Sequence, residues 1–250
     1  MQSYAAKVTA TALFIFCIFV GGVNVSFAQT PKDDSSVESK KNPADEIKDS
    51  SSIPTQEEKV YKSEIAVWGG YSPVSVDIIG SSSPNVRFGI VGIRYARKIG
   101  TLGNLNFKYT VDLIPLVILN YEQERFFPTA PDTFRVERNR RTAYGFGGSP
   151  GGVQMNFRRQ KKVQPFIGVS FGVLYFNEDV PDNRSPAFPD RRGKKFNYTA
   201  DLGVGVEIGL KPDRKLIVGY KYYHISNFYA GGINPGYNSN IFYAGYSFLR

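Results

Sequence analysis

The chain has 250 residues, among them 19 Phe, 16 Tyr, 1 Trp, 25 Gly, one Cys and one His, and its formal net charge is +9. A disulfide framework is excluded, as is any Cys/His zinc or iron–sulfur centre, because those need three or four soft ligands; any imidazole chemistry must use His224. The charge is uneven: Gln29 to Lys59 holds five Lys against eight acids, whereas Val60 to Arg250 holds 25 Lys and Arg against 14 acids. No helix-turn-helix pattern, zinc knuckle or Arg-rich helix accompanies that basic part, so its expected partner is phosphate-bearing lipid and not nucleic acid. No cofactor or metal is expected.

Lys7, the apolar run Ala12 to Val20 and the small–x–small triplet Ser26-Phe27-Ala28 read as a secretory signal over residues 1–28. The run is too short for a comfortable transmembrane helix. Cys17 lies inside it, so the mature chain has no cysteine, which suits an oxidising periplasm. The segment 29–62 is rich in Ser, Asp, Glu, Lys and Pro. It buries too little to offset its ordering entropy and is expected to be a disordered periplasmic tether. Residues 63–250 then form the folded domain.

From Ser63 the hydrophobic period is two. In Phe196 to Leu210 the even positions (Phe196, Tyr198, Ala200, Leu202, Val204, Val206, Ile208, Leu210) are apolar, while the odd ones are Asn, Thr, Asp, Glu or Gly. Leu105 to Leu113 and Val163 to Tyr175 repeat the pattern. A soluble two-sheet sandwich also alternates. Large continuous apolar faces opposite Gly, Ser, Asn and charge favour an all-β, eight-stranded antiparallel transmembrane barrel of the outer-membrane type. Predicted strands cover 63–72, 86–97, 105–121, 144–158, 163–176, 196–210, 214–226 and 238–249.

The links 98–104, 159–162 and 211–213 are short, whereas 122–143 and 177–195 are long, which is the outer-membrane alternation of turns and loops. Aromatics near strand ends (Tyr121, Phe126, Phe127, Tyr175, Phe176, Tyr222, Tyr223) suggest interfacial girdles. Eight strands leave a lumen that side chains fill, so a porin is not expected and function is expected on a loop or the outer wall. Asp201 and Glu207 are expected inside, paired with Lys or Arg. The run Gly145 to Gly152 lacks the Lys-Ser/Thr ending of a phosphate cradle and is assigned to barrel packing.

Strand parity puts His224 and Ser226 side by side on the lipid-facing wall, near the end where strand 7 leaves the membrane. Polar groups on such a face are functional candidates by default, although the spacing alone better suits an interfacial His and Ser bonded to water or lipid headgroups. An imidazole that takes the proton of a neighbouring hydroxyl makes a nucleophile for an ester, and Asn227 could donate to the developing oxyanion. Arg138, Arg140 and Arg141 in one long link, and Arg191 and Arg192 in another, are candidates for phosphate binding; equally, they form solvated ion pairs with nearby acids.

His224-Ile225-Ser226-Asn227 followed by Asn234-Pro235-Gly236 and a closing aromatic strand resembles the lipid A 3-O-deacylase (PagL-type) acyloxyacyl hydrolase family. Tyr144 to Gly147, Val163 to Phe166 and Phe196 to Gly203 are similar to that family too. The resemblance implies an eight-stranded outer-membrane esterase removing the 3-linked acyl chain of lipid A. It gives His224 the role of base, Ser226 that of nucleophile, and Asn227 a share in the oxyanion site. The family's acid, which orients the His, falls on Asn238, and no Asp or Glu follows Asp213. Asn can fix an imidazole tautomer but cannot stabilise imidazolium by charge. A second expectation therefore stands beside the first: a catalytically inactive outer-membrane barrel whose basic loops bind lipopolysaccharide or another surface partner.

Overall fold

The computed structural model describes residues 62–75, 85–158 and 160–249; the expected signal peptide and nearly all of the tether lie outside the described residues. Eight strands follow in order: β1 (Ser63–Ser72), β2 (Arg87–Leu102), β3 (Leu105–Ala130), β4 (Thr133–Asn156), β5 (Val163–Asp182), β6 (Arg192–Lys211), β7 (Arg214–Ser226) and β8 (Tyr237–Leu249). Each pairs antiparallel with the next, and β8 returns to β1, closing the sheet with no free edge.

The period-two pattern sorts side chains as the sequence demands. Val67, Val91, Leu113, Phe171, Leu202, Val204 and Val218 stand exposed on the outer wall. The alternate positions are buried in the lumen, which divides into two layers. Toward the short-turn end, Lys108 contacts Glu207 at 2.8 Å and Glu64 at 2.9 Å, and Lys215 contacts the same two acids at 3.0 and 2.9 Å. Arg94 grips Asp112 at 2.7 Å, and Lys221 meets Asp201 at 3.1 Å. Toward the long-hairpin end the filling is apolar, with Phe88, Leu119, Tyr121, Phe176, Tyr223, Ile225, Tyr237 and Ile241 packed together. Glycine makes room where walls approach: a Cβ on Gly92 would overlap the Trp68 ring, and one on Gly147 the Val173 carbonyl. The Gly145–Gly152 run thus serves packing, with a register shift between Gly148 and Gly151.

Removing one partner of a buried ionic network strands the others. Glu207→Ala is therefore expected to cost about 3 kcal/mol, read as a lower urea midpoint for the folded barrel band in unheated gels.

Two expectations change. The link 122–143 is mostly strand: β3 and β4 run on as a hairpin that turns at Pro131-Asp132, with Asp132 at φ 60°. Cross-strand pairing of Glu124 with Arg138 and Glu122 with Arg140 carries the ladder after the apolar alternation ends. Likewise β5 and β6 extend until only residues 183–191 form the loop. Second, Tyr121, Phe176 and Tyr223 are at most 1% exposed and fill the lumen; only Tyr175 and Tyr222 of the strand-end aromatics face outward as a girdle would, and Phe126 and Phe127 belong to the hairpin extension.

Candidate active site

β7 rises toward the long-hairpin end with Tyr220, Tyr222, His224 and Ser226 on its outer face, alternating with buried Lys221, Tyr223 and Ile225. His224 sits between Ala200 of β6 and Asn238 of β8 in the paired register, and Ser226 lies opposite Tyr198. The small Ala200 leaves one flank of the imidazole uncrowded. On the other flank, His224 Nδ1 is 2.6 Å from Asn238 Oδ1. An amide oxygen only accepts, so Nδ1 carries a proton, and in the uncharged form of the ring the lone pair is on Nε2. Asn238 is wholly buried.

Beyond Ser226 the chain turns sharply. Phe228 and Tyr229 are consecutive non-glycine residues in the left-handed region, at φ 50° and 62°. Such a conformation costs on the order of 1–3 kcal/mol per residue and persists only where the surroundings enforce it. Here the Ala230 amide donates to the Asn227 carbonyl at 3.0 Å, and the Phe228 ring packs on Tyr198 with centroids 4.9 Å apart. The loop also leans on the start of β6 through Ile233 N–H donating to the Arg192 carbonyl at 3.1 Å.

That turn brings Asn234 back onto the hydroxyl. Ser226 Oγ donates to Asn234 Oδ1 at 3.1 Å and accepts from the Phe228 amide at 3.1 Å. The Asn227 amide N–H also donates to Asn234 Oδ1 at 2.9 Å. Because a backbone N–H can only donate, it fixes which end of the Asn234 amide faces Ser226. Asn234 Nδ2 is left with no partner among the described residues. The Asn227 side chain is engaged elsewhere, its Nδ2 donating to the Ile233 carbonyl at 2.9 Å and holding the loop closed. In the sequence Asn234 stands out only as part of Asn-Pro-Gly, and nothing in strand parity could bring a loop residue onto the hydroxyl. The hydrogen bonds of the Ser226 hydroxyl thus run to the loop, not to His224, and the residue is 5% exposed.

The candidate phosphate-binding arginines are dispersed. Arg138 lies within 3.3 Å of Glu122 and 3.1 Å of Glu124, and Arg141 binds Glu178 at 2.5 Å. Arg140 donates to Asn120 Oδ1 at 2.7 Å and to the Asn85 carbonyl at 2.8 Å. Arg191 covers the Phe126 ring at 4.6 Å, and Arg192 reaches Asp179 at 3.4 Å. Arg192 meets the loop that carries Asn234 through its backbone carbonyl, which accepts from the Ile233 N–H. Among the described residues there is no group of three or more His, Cys, Asp or Glu that could hold a metal ion.

The profile of the family described as lipid A 3-O-deacylase (PagL) matches residues 119–247, just over half of the chain and the whole of this site. The chain belongs to that family. Among solved structures it is similar to Neisserial surface protein A, with 15% identity and a TM-score of 0.44 over 75% of this chain and 97% of that one. It is similar also to the outer membrane enzyme PagL, with 13% identity and a TM-score of 0.44 over 74% and 98% of the two chains. OprG from Pseudomonas aeruginosa shares 12% identity at a TM-score of 0.41 over 76% and 98%. No curated protein matches the sequence.

Proposed function

We propose that this chain is an outer-membrane esterase that removes the 3-O-linked acyl chain of lipid A, with Ser226 as nucleophile and His224 as base. The observation that carries the reading is the His224–Asn238 bond on the outer wall beside a shielded serine. Export by residues 1–28, a periplasmic tether at 29–62 and a barrel facing the outer leaflet belong to the same proposal.

In the mechanism, the Ser226 hydroxyl turns from Asn234 toward His224 Nε2, gives up its proton there, and its oxygen attacks the ester carbonyl carbon. The negative charge that gathers on the carbonyl oxygen is taken by N–H donors of this loop, the Phe228 N–H that already points at Ser226 Oγ and Asn234 Nδ2 at the other end of the amide that holds the resting hydroxyl. Collapse breaks the bond to the sugar oxygen, which leaves with the proton from His224. Water then attacks the acyl-serine, again losing its proton to His224, which passes it to the departing Ser226 oxygen as the free fatty acid leaves. Asn238 keeps the imidazole in the tautomer that accepts at Nε2.

The test is mass spectrometry of lipid A from outer membranes with and without the protein. The expected spectrum is lighter by one hydroxyacyl chain.

The two asparagines of the loop should respond differently to substitution. Asn234→Ala is expected to lower kcat by about 10²-fold, the size of a lost oxyanion donor. Asn227→Ala should act through loop order, raising KM or lowering stability more than kcat. Equal effects on kcat would return the oxyanion role to Asn227.

The neutral Asn238, with the hydroxyl turned toward Asn234, also favours a second reading, an inert barrel that binds lipopolysaccharide. Unchanged lipid A with retained lipopolysaccharide binding would establish it.

A further inference from the structure

Two of the connections at the long-hairpin end, residues 122–143 and 177–195, carry nine charged side chains each, whereas the β7–β8 loop, residues 227–236, carries none. The polar side chains of that loop turn inward. Asn227 is 1% exposed with its Nδ2 on the Ile233 carbonyl, and Asn234 Oδ1 accepts from Ser226 and from the Asn227 amide. What faces outward is aromatic. Phe228 and Tyr229 are 68% and 75% exposed, and Tyr229 is the most exposed large hydrophobic side chain among the described residues. Two consecutive left-handed residues hold these rings out, at φ 50° and 62°. Such backbone persists only under constraint, and it clusters where it serves a site.

The rings stand on the lipid-facing side of the barrel. Phe228 packs on Tyr198, and Tyr198 packs on Phe196 with centroids 5.2 Å apart, both partners lying on the outer face of β6. Together they form an aromatic ledge beside Ser226, and farther down the same face of β6 come the apolar Leu202 and Val204. Rings with one apolar and one wet side collect at the lipid–water boundary. A phosphate or an acidic protein would find no cation in this loop, so a lipid surface is the partner that fits.

We infer that the β7–β8 loop docks into the surface of the bilayer through Phe228 and Tyr229, and that this docking sets the candidate active site against esters held in that surface. The second half rests on the esterase reading; the first does not. The link between ring and chemistry is short. The Phe228 amide donates to Ser226 Oγ, and Asn234, near the far end of the same loop, accepts from it. Rings anchored at headgroup level fix these groups relative to an ester in the bilayer. An ester dissolved in water gains nothing from the anchor.

The experiment uses the full chain in phosphatidylcholine vesicles. Tyr229→Trp reports depth, because the other indole of the folded domain, Trp68, is lumenal with its N–H on Asp112, and wild-type emission gives its contribution. Quenching by bromine-labelled acyl chains with shielding from iodide is the expected result. Quenching by iodide and not by bromolipid would put the loop in water and overturn the inference. Tyr229→Asn removes the ring with a residue type that accepts left-handed backbone; folding is checked by heat-modifiable migration, with Tyr229→Gly used if the Asn variant does not fold. A loss of about tenfold in kcat/KM is expected on p-nitrophenyl palmitate in the same vesicles, with dissolved p-nitrophenyl butyrate little changed and Tyr229→Trp at the wild-type rate on both. Equal palmitate rates with and without the ring would overturn the coupling and leave the esterase standing. Equal losses on both esters would make Tyr229 a structural residue and overturn it as well. Should the wild type hydrolyse neither ester, the esterase reading fails, and quenching alone decides the docking. A wild-type dimer that Tyr229→Asn dissociates would make a second copy the occupant, which also overturns it.

Discussion

Ser226→Ala is expected to leave lipid A at full mass and to cut ester hydrolysis by about 10⁴-fold or more, and His224→Ala should do nearly the same. Nucleophile and base act as one unit, so the double variant is expected to be no worse than either alone. The residual rate would come from oxyanion donors and binding, which neither substitution removes. Folding should survive, because both side chains lie on the outer wall and leave the lumenal ion network and aromatic packing intact. Ser226→Ala does free the Phe228 amide, at a cost of about 1 kcal/mol. The check is mass spectrometry of lipid A beside a gel showing equal folded barrel. A Ser226→Ala protein that still lightens lipid A would remove the serine from the mechanism.

Most of the barrel is legible in the sequence because burial on a closed sheet depends on parity alone. Phe196 to Leu210 declares its outer face residue by residue, and the same rule puts His224, Ser226 and Asn238 together on the wall. The rule fails where hydrophobicity stops reporting on structure. Beyond the bilayer both faces of the β3–β4 hairpin meet water, so Glu122, Glu124, Arg138 and Arg140 look like loop although they sit in register. Tyr121 turns inward because the register shift between Ile114 and Val117 moves the inward set to odd numbers. Tyr223 and Phe176 differ: their parity already points inward, and only their position along the strand suggests a girdle. Asn234 is out of reach altogether. Its place beside Ser226 depends on two consecutive left-handed residues, Phe228 and Tyr229, which nothing in the local sequence leads one to expect.

Asn238 is where the site departs most from what the family resemblance implies, and substitutions there have opposite signs. Asn238→Ala removes the group that holds Nδ1 protonated. The imidazole is then free to turn or change tautomer, and a loss of about 10³-fold is expected, short of the about 10⁴-fold that a wrong tautomer costs a triad whose third member is charged. Asn238→Asp keeps the acceptor close to its present 2.6 Å separation and adds a charge. That charge has little to interact with while the ring is neutral and much once the proton arrives from Ser226. Its benefit therefore falls on the transition state more than on the ground state, the condition under which an interaction raises kcat. A hydrogen bond to a charged partner exceeds a neutral one by about 1–1.5 kcal/mol, so a gain of about tenfold in kcat is expected with KM little changed. The same carboxylate is buried at a wholly enclosed position, so the folded barrel should lose some stability even as it gains rate. Asn238→Glu adds a methylene that this position has little room for, and a smaller gain is expected. Steady-state kinetics on the three variants, with urea midpoints measured alongside, distinguish the cases. If alanine and aspartate leave kcat where asparagine has it, the residue at 238 does not work through the imidazole.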